Sequence, residues 1–89
     1  MEFLMLIRVH PRVAAKRPEI TPEDVRVVFT GALRSRPRDT DPVQWVGVGI
    51  DTNGRLLEFI AIEEPSEEWL VFHVMPATKS VLLELGLRR

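Results

Sequence analysis

The stretch from Val43 to Ile62 constrains the chain more than any other part of it. Two runs of strand-forming apolar residues, Trp45-Val46-Gly47-Val48-Gly49-Ile50 and Leu56-Leu57-Glu58-Phe59-Ile60-Ala61-Ile62, flank Asp51-Thr52-Asn53-Gly54. Asn-Gly between two such runs is a strong hairpin signal, because a tight reversal needs residues that tolerate positive φ. The chain therefore contains antiparallel sheet, and the apolar faces of that sheet need cover. A third run, Trp69 to Met75, follows the acidic loop Glu63-Glu64-Pro65-Ser66-Glu67-Glu68 and is closed by Pro76. Three antiparallel strands in meander order are the simplest arrangement.

The segments on either side supply that cover. Glu2 to Val9 is dense in strand formers and stops at His10-Pro11, where proline has no N–H for a ladder. Pro11 suits the first position of a short helix through Val13, Ala14 and Ala15, ended by Pro18. Thr21-Pro22-Glu23-Asp24 then combines a hydroxyl cap, proline at the first helical position and acids in the first turn. Val25, Val28, Phe29, Ala32 and Leu33 follow at helical spacing and form one apolar stripe. Arg34 to Pro42, with its prolines, aspartates and arginines, predicts a solvated connection. Ala77 to Leu85 predicts a last helix, with Val81, Leu82 and Leu85 facing a core and Gly86 stopping it. The expected fold is α+β, one small domain over residues 1–89 in the order β-α-α-β-β-β-α, its antiparallel sheet packed against helices on one face.

Size and composition set the function classes. A chain of 89 residues with 45% hydrophobic side chains supports one core and not two. With no cysteine, disulfides, thiolate catalysis and Cys-ligated zinc are excluded. Two histidines supply a His-rich metal site poorly, and only a mixed carboxylate site stays open. No signal-peptide layout opens the chain, and the apolar Met1 to Val9 is too short to cross a bilayer, so a cytoplasmic location with no membrane partner is expected.

The net charge of −1 conceals a division of sign. Residues 1–38 carry eight basic against four acidic side chains, whereas residues 39–68 carry only Arg55 against eight acids. A basic front attracts phosphate, or it is simply the solvated face of helices.

The residues that bear chemistry each admit two readings. His73 shares a strand face with Val71 and Met75 if the strand is regular; it is a hydrogen-bonded core histidine if helices cover that face, and a reactive group if they do not. His10, at a strand end, either closes the first turn of a helix or acts on a substrate. Arg12, Lys16 and Arg17 are surface charges or a phosphate grip. Arg34, Arg36 and Arg38 could reach phosphates, but Asp39 and Asp41 follow at once and discount them. Trp45 and Trp69 offer stacking surfaces for bases or belong to the core. The Glu63–Glu68 loop matches no calcium-loop spacing and reads as a solvated turn.

Taken together, a strand entering His10-Pro11-Arg12 and Lys16-Arg17, the capped Ile20-Thr21-Pro22-Glu23-Asp24-Val25, a meander, and Val71-Phe72-His73-Val74-Met75 feeding Ala77-Thr78-Lys79 resemble the RelE/ParE-superfamily toxins, in particular the BrnT branch. The resemblance implies a RelE-like fold and the toxin component of a type II toxin–antitoxin pair, a metal-independent endoribonuclease in which a ribose 2′-hydroxyl attacks the neighbouring phosphate. Such chemistry requires cations on the phosphorane oxygens and an acid or base that titrates near neutrality. It implies Arg12, Arg17 and Lys79 as phosphate ligands and His10 and His73 as acid or base, with no cofactor and no metal. The partners implied are RNA, on the ribosome or free of it, and a cognate antitoxin protein; a homodimer paired through the apolar first strand is compatible with this. The chain departs from the pattern in having no tyrosine and an acid-rich middle. Both departures fit an alternative, a non-enzymatic toxin-like module that works through protein contacts.

Overall fold

The computed structural model describes residues 6–88. Strand β1 (Ile7–Val9) runs into helix α1 (Pro11–Lys16) and then α2 (Pro22–Thr30). Strands β2 (Arg34–Pro37), β3 (Trp45–Ile50), β4 (Leu56–Glu63) and β5 (Trp69–Pro76) follow, and α3 (Lys79–Glu84) closes the fold. The expected strand from Glu2 is present from Ile7 onward; residues 2–5 lie outside the described ones.

The strands form one five-stranded sheet in the order β1-β5-β4-β3-β2. The β3-β4-β5 meander is antiparallel as the apolar runs require. The expectation of a wholly antiparallel sheet is corrected at the edge: β1 lies parallel to β5, pairing Ile7 with Trp69 and Val9 with Val71, so the sheet is mixed. A parallel pair needs a long connection, and here α1, α2 and strands β2 to β4 all lie between β1 and β5. A second correction concerns Arg34 to Pro42, which is not all loop. Arg34–Pro37 is an edge strand that pairs with β3, its exposed Arg and Pro content being typical of protected edges.

The Asn-Gly hairpin closes with Gly54 at φ 78° and mutual bonding of Asp51 and Arg55 across the turn. At the start of α2, the Asp24 amide donates to Thr21 Oγ1 (3.1 Å) and the Thr21 amide donates to Asp24 Oδ2 (3.0 Å), a reciprocal capping box. Asp24 is buried and also accepts from Thr52 Oγ1 and Arg55, which ties the helix start to the β3–β4 turn. The stripe on α2 is shorter than its spacing suggests. The helix stops at Thr30 with Gly31 as its cap, and Leu33 is 62% exposed.

Helices cover both faces of the sheet rather than one. Helices α1 and α2 pack Val13, Val25 and Val28 on Leu57, Phe59, Ala61, Val71 and Val74. On the opposite face α3 packs Val81 and Leu85 on Val46 and Val48. Alternation along β3 explains the division. Its valines point to α3, while Gly47 and Gly49 face α2 and leave no side chain between helix and strand: a Cβ on Gly49 would meet the Val28 carbonyl oxygen at 2.4 Å.

A β-bulge completes the frame. Ile60 pairs with His73 but Ala61 pairs with Val71, so Phe72 is an extra residue on β5. The bulge lets Val71 and Val74 enter the same core, and it moves His73 to the α3 face beside Glu58. The expected grouping of Val71 with His73 on one face fails for this reason.

Candidate functional site

The candidate site forms where β1 stops. The His10 amide donates to the Val71 carbonyl (2.8 Å), and Pro11, with no N–H, ends the pairing there. The His10 ring accepts the Arg12 amide at Nδ1 (3.0 Å) as the cap of α1. From Phe72 onward the outer edge of β5 is therefore left uncovered by β1, and α1 runs past it. Val13 anchors the helix in the core. Between α1 and β5 lies a cleft of about 210 Å³ lined by Arg12, Val13, Lys16 and Arg17 from the helix side and by Phe72, His73, Val74 and Met75 from the strand.

Three cations and one histidine thus line one cleft at the edge of β5, the histidine ring lying on the α3 face of the sheet. Arg12 and Lys16 stand four residues apart on α1 and so rise from the same helical face. Among the described residues neither forms an ion pair, and Arg17 has only an exposed contact with Glu19 at 3.9 Å. A planar guanidinium holds two phosphate oxygens at once and keeps its charge at any physiological pH.

The His73 ring is held from behind. Glu58, two residues from Ile60 on β4 and on the same face, is buried, with 4% of its side chain exposed. Its Oε2 is 2.8 Å from His73 Nε2. Its Oε1 accepts the Thr78 amide (2.8 Å) and the Thr78 hydroxyl (2.6 Å), and Thr78 is the cap of α3. Every lone pair direction of consequence on the carboxylate is used, and among the described residues no buried side-chain polar atom lacks a partner. With Glu58 as acceptor, Nε2 carries the proton and Nδ1 is the lone-pair nitrogen of the neutral ring. The His73 side chain is 33% exposed, so the ring is neither a sealed core group nor free in solvent.

Of the residues singled out from sequence, the structure brings Arg12, Arg17 and His73 to one cleft. His10 and Lys79 are not among its lining residues. His10 is exposed, spends Nδ1 on the α1 cap, and borders a separate groove with Arg8 and Leu70. Lys79 is exposed at the first position of α3. Glu58 and Thr78 escaped sequence reasoning, although a lone acid inside the apolar run Leu56 to Ile62 is a signal of a buried partner.

The arginines of β2 have a structural task. Arg34 donates to the Leu85 carbonyl (3.1 Å) and Arg36 to the Glu84 carbonyl (2.9 Å), satisfying groups that the end of α3 leaves open. Arg38 grips the Glu84 carboxylate with Nε and Nη2, each at 2.8 Å. That hydrogen bond raises the Arg38 pKa and holds the Glu84 carboxyl below its ordinary range. At the β3–β4 turn, burial works against the charge of Asp51, but hydrogen bonds from Arg55 and the Asn53 amide outweigh it and hold that carboxyl low as well. Among the described residues there is no cluster of metal-ligating side chains, and no helix is long and apolar enough to cross a membrane.

No family model matches the chain, and no curated protein or solved structure matches it either.

Proposed function

We propose that this protein is a metal-independent endoribonuclease, the toxin component of a type II toxin–antitoxin pair whose fold is of the RelE type. The observation that supports the reading is the cleft whose lining includes Arg12, Lys16, Arg17 and His73, a histidine bonded to the buried carboxylate of Glu58. In that arrangement His73 Nδ1 accepts the proton of a ribose 2′-hydroxyl as its oxygen attacks the adjacent phosphorus. Arg12 and Arg17 hold the phosphorane oxygens, whose added charge they stabilise more than that of the ground state. The imidazolium, balanced by Glu58, returns the proton to the departing 5′-oxygen, leaving a 2′,3′-cyclic phosphate. Lys79 and His10, outside the cleft lining, drop out of the catalytic set.

Several acids of the middle of the chain are already engaged or stand away from the cleft. Asp51 is taken by Arg55, Glu58 by His73 and Thr78, and Glu64 by Arg8. Glu63, Glu67 and Glu68 sit at the hairpin before Trp69, roughly 10 Å or more along β5 from the cleft at the usual rise of a strand.

The test is induced expression in bacteria of the wild-type chain and of the single variants His73→Ala and Arg17→Ala, with growth followed and total RNA mapped for new ends. Growth arrest with new ends in wild type, lost in either variant, is the expected result. Harmless expression with intact RNA rejects the nuclease and favours the alternative of a non-enzymatic interaction module, a reading supported by the aromatic cavity described next.

A further inference from the structure

A second cavity of about 210 Å³ opens at the other end of β5, lined by Phe29, Ala32, Ser35, Trp45, Phe59 and Trp69. Four of its six lining side chains are aromatic. Phe29 meets Phe59 edge-on at 5.1 Å between centroids and Trp69 at 5.3 Å, and Trp45 meets Trp69 at 6.1 Å with the rings nearly perpendicular. Ala61, wholly buried, pairs with Trp45 across the β3–β4 ladder, and its small side chain leaves room beside the indole. Both tryptophans are partly exposed. None of the three cations of the first cleft borders this cavity.

No charged side chain lines it, but the hairpin that leads into Trp69 is acidic. Glu63 stands directly across the ladder from Trp69, and Glu67 and Glu68 lie in the hairpin that leads into it. Glu64 is engaged by Arg8, whereas among the described residues Glu63, Glu67 and Glu68 form no ion pair. Electron-rich ring faces next to uncompensated carboxylates attract a cation carried on an apolar stem and repel phosphate. Arginine fits best, because its guanidinium stacks flat on an indole and leaves its N–H groups to the acids.

We propose that this cavity docks a basic polypeptide segment of a partner protein, with an arginine seated against Trp45 and Trp69 and neighbouring basic residues on Glu63, Glu67 and Glu68. The proposal does not rest on the ribonuclease reading, and the site acts whether or not the cleft cuts RNA. An aromatic-lined pocket with an acidic hairpin at one side is an arrangement in which a few residues can carry most of an interface.

The experiment titrates the full chain at low salt with a synthetic peptide carrying three arginines and with its glutamine counterpart, following tryptophan emission and anisotropy of the labelled peptide. Saturable binding of the arginine peptide alone is expected, weakened roughly tenfold by Trp69→Leu. The triple variant Glu63→Gln, Glu67→Gln, Glu68→Gln, at exposed or half-buried hairpin positions, should weaken it comparably and removes no aromatic ring, so a folding defect in Trp69→Leu does not decide the matter. Equal binding of both peptides, no binding of either, or arginine binding unaffected by both variants overturns the proposal. Quenching of the same tryptophans by oligouridylate in place of the peptide overturns it in favour of base stacking, and self-association abolished by the triple variant overturns it in favour of a second copy of this chain.

Discussion

Replacing Gly49 by alanine tests the packing on which the whole architecture depends. A Cβ at this position would lie 2.4 Å from the Val28 carbonyl oxygen and 3.1 Å from both the carbonyl carbon and Cα of Val28. These are backbone atoms in the middle of α2, so no side-chain rotation relieves the overlap. Ordinary contact begins near 3.4 Å, and α2 must therefore move away from β3 by roughly 1 Å. That displacement loosens Val25 and Val28, both buried, from Leu57 and Phe59. Overpacking of this kind costs about 1–3 kcal/mol, and the upper part of the range applies because the obstacle is main chain. The lower chain entropy of alanine in the unfolded state returns only about 0.4–1 kcal/mol. The net cost is about 1–2.6 kcal/mol, and for a domain of this size each kcal/mol lowers Tm by about 4–8 °C, so a fall of roughly 4–20 °C is expected in circular dichroism melts, with a matching loss of urea midpoint. Gly54→Ala is the control. Nothing lies within 4 Å of its Cβ, and the cost of about 1–2 kcal/mol there is that of holding φ at 78°. Amide exchange separates the two, because only Gly49→Ala should speed exchange in α2. A Gly49→Ala protein as stable as wild type would refute the close seating of α2 on β3.

Two further outcomes follow from the polar contacts. Glu58→Ala leaves the Thr78 amide, the Thr78 hydroxyl and His73 Nε2 without their acceptor and should destabilise the fold by about 1–3 kcal/mol, measured in urea, with Glu58→Gln less affected because its amide oxygen still accepts from Thr78; equal stability of Glu58→Ala and Glu58→Gln would refute this. Glu84 and Asp51 both have folded pKa values below their ordinary ones, so the stabilisation they bring is present above about pH 4 and is lost as pH falls through the lower folded values. Arg38→Met should flatten the acid limb of urea midpoint against pH, and an unchanged limb would show that the Arg38–Glu84 pair is not its source.

Local chemistry made a good part of this fold legible in advance. The Asn53-Gly54 turn, the Thr21 cap with Pro22 and Asp24, and the stop at Gly86 each satisfy backbone needs within a few residues, so their outcome depends little on the rest of the chain. The same holds for His10, whose capping of α1 is settled by Pro11 and the Arg12 amide. Arg12 and Arg17 were identifiable as neighbours of one another, being on or at the end of one short helix.

What the chain alone left open was everything that depends on a distant partner. Arg34 to Pro37 has the composition of a loop, yet becomes a strand because β3 offers it a free edge and the end of α3 offers its arginines carbonyl groups. The parallel placement of β1 depends on β5, roughly sixty residues further along the chain. Above all, the side of the sheet on which His73 stands is set by the bulge at Phe72, an extra residue that appears only when β5 is aligned with β4. A side-chain period of two makes any single-residue shift reverse every face beyond it. Sequence periodicity thus determined that a sheet and its helices would form, while tertiary pairing alone decided that His73 would meet Glu58 instead of the core around Val71.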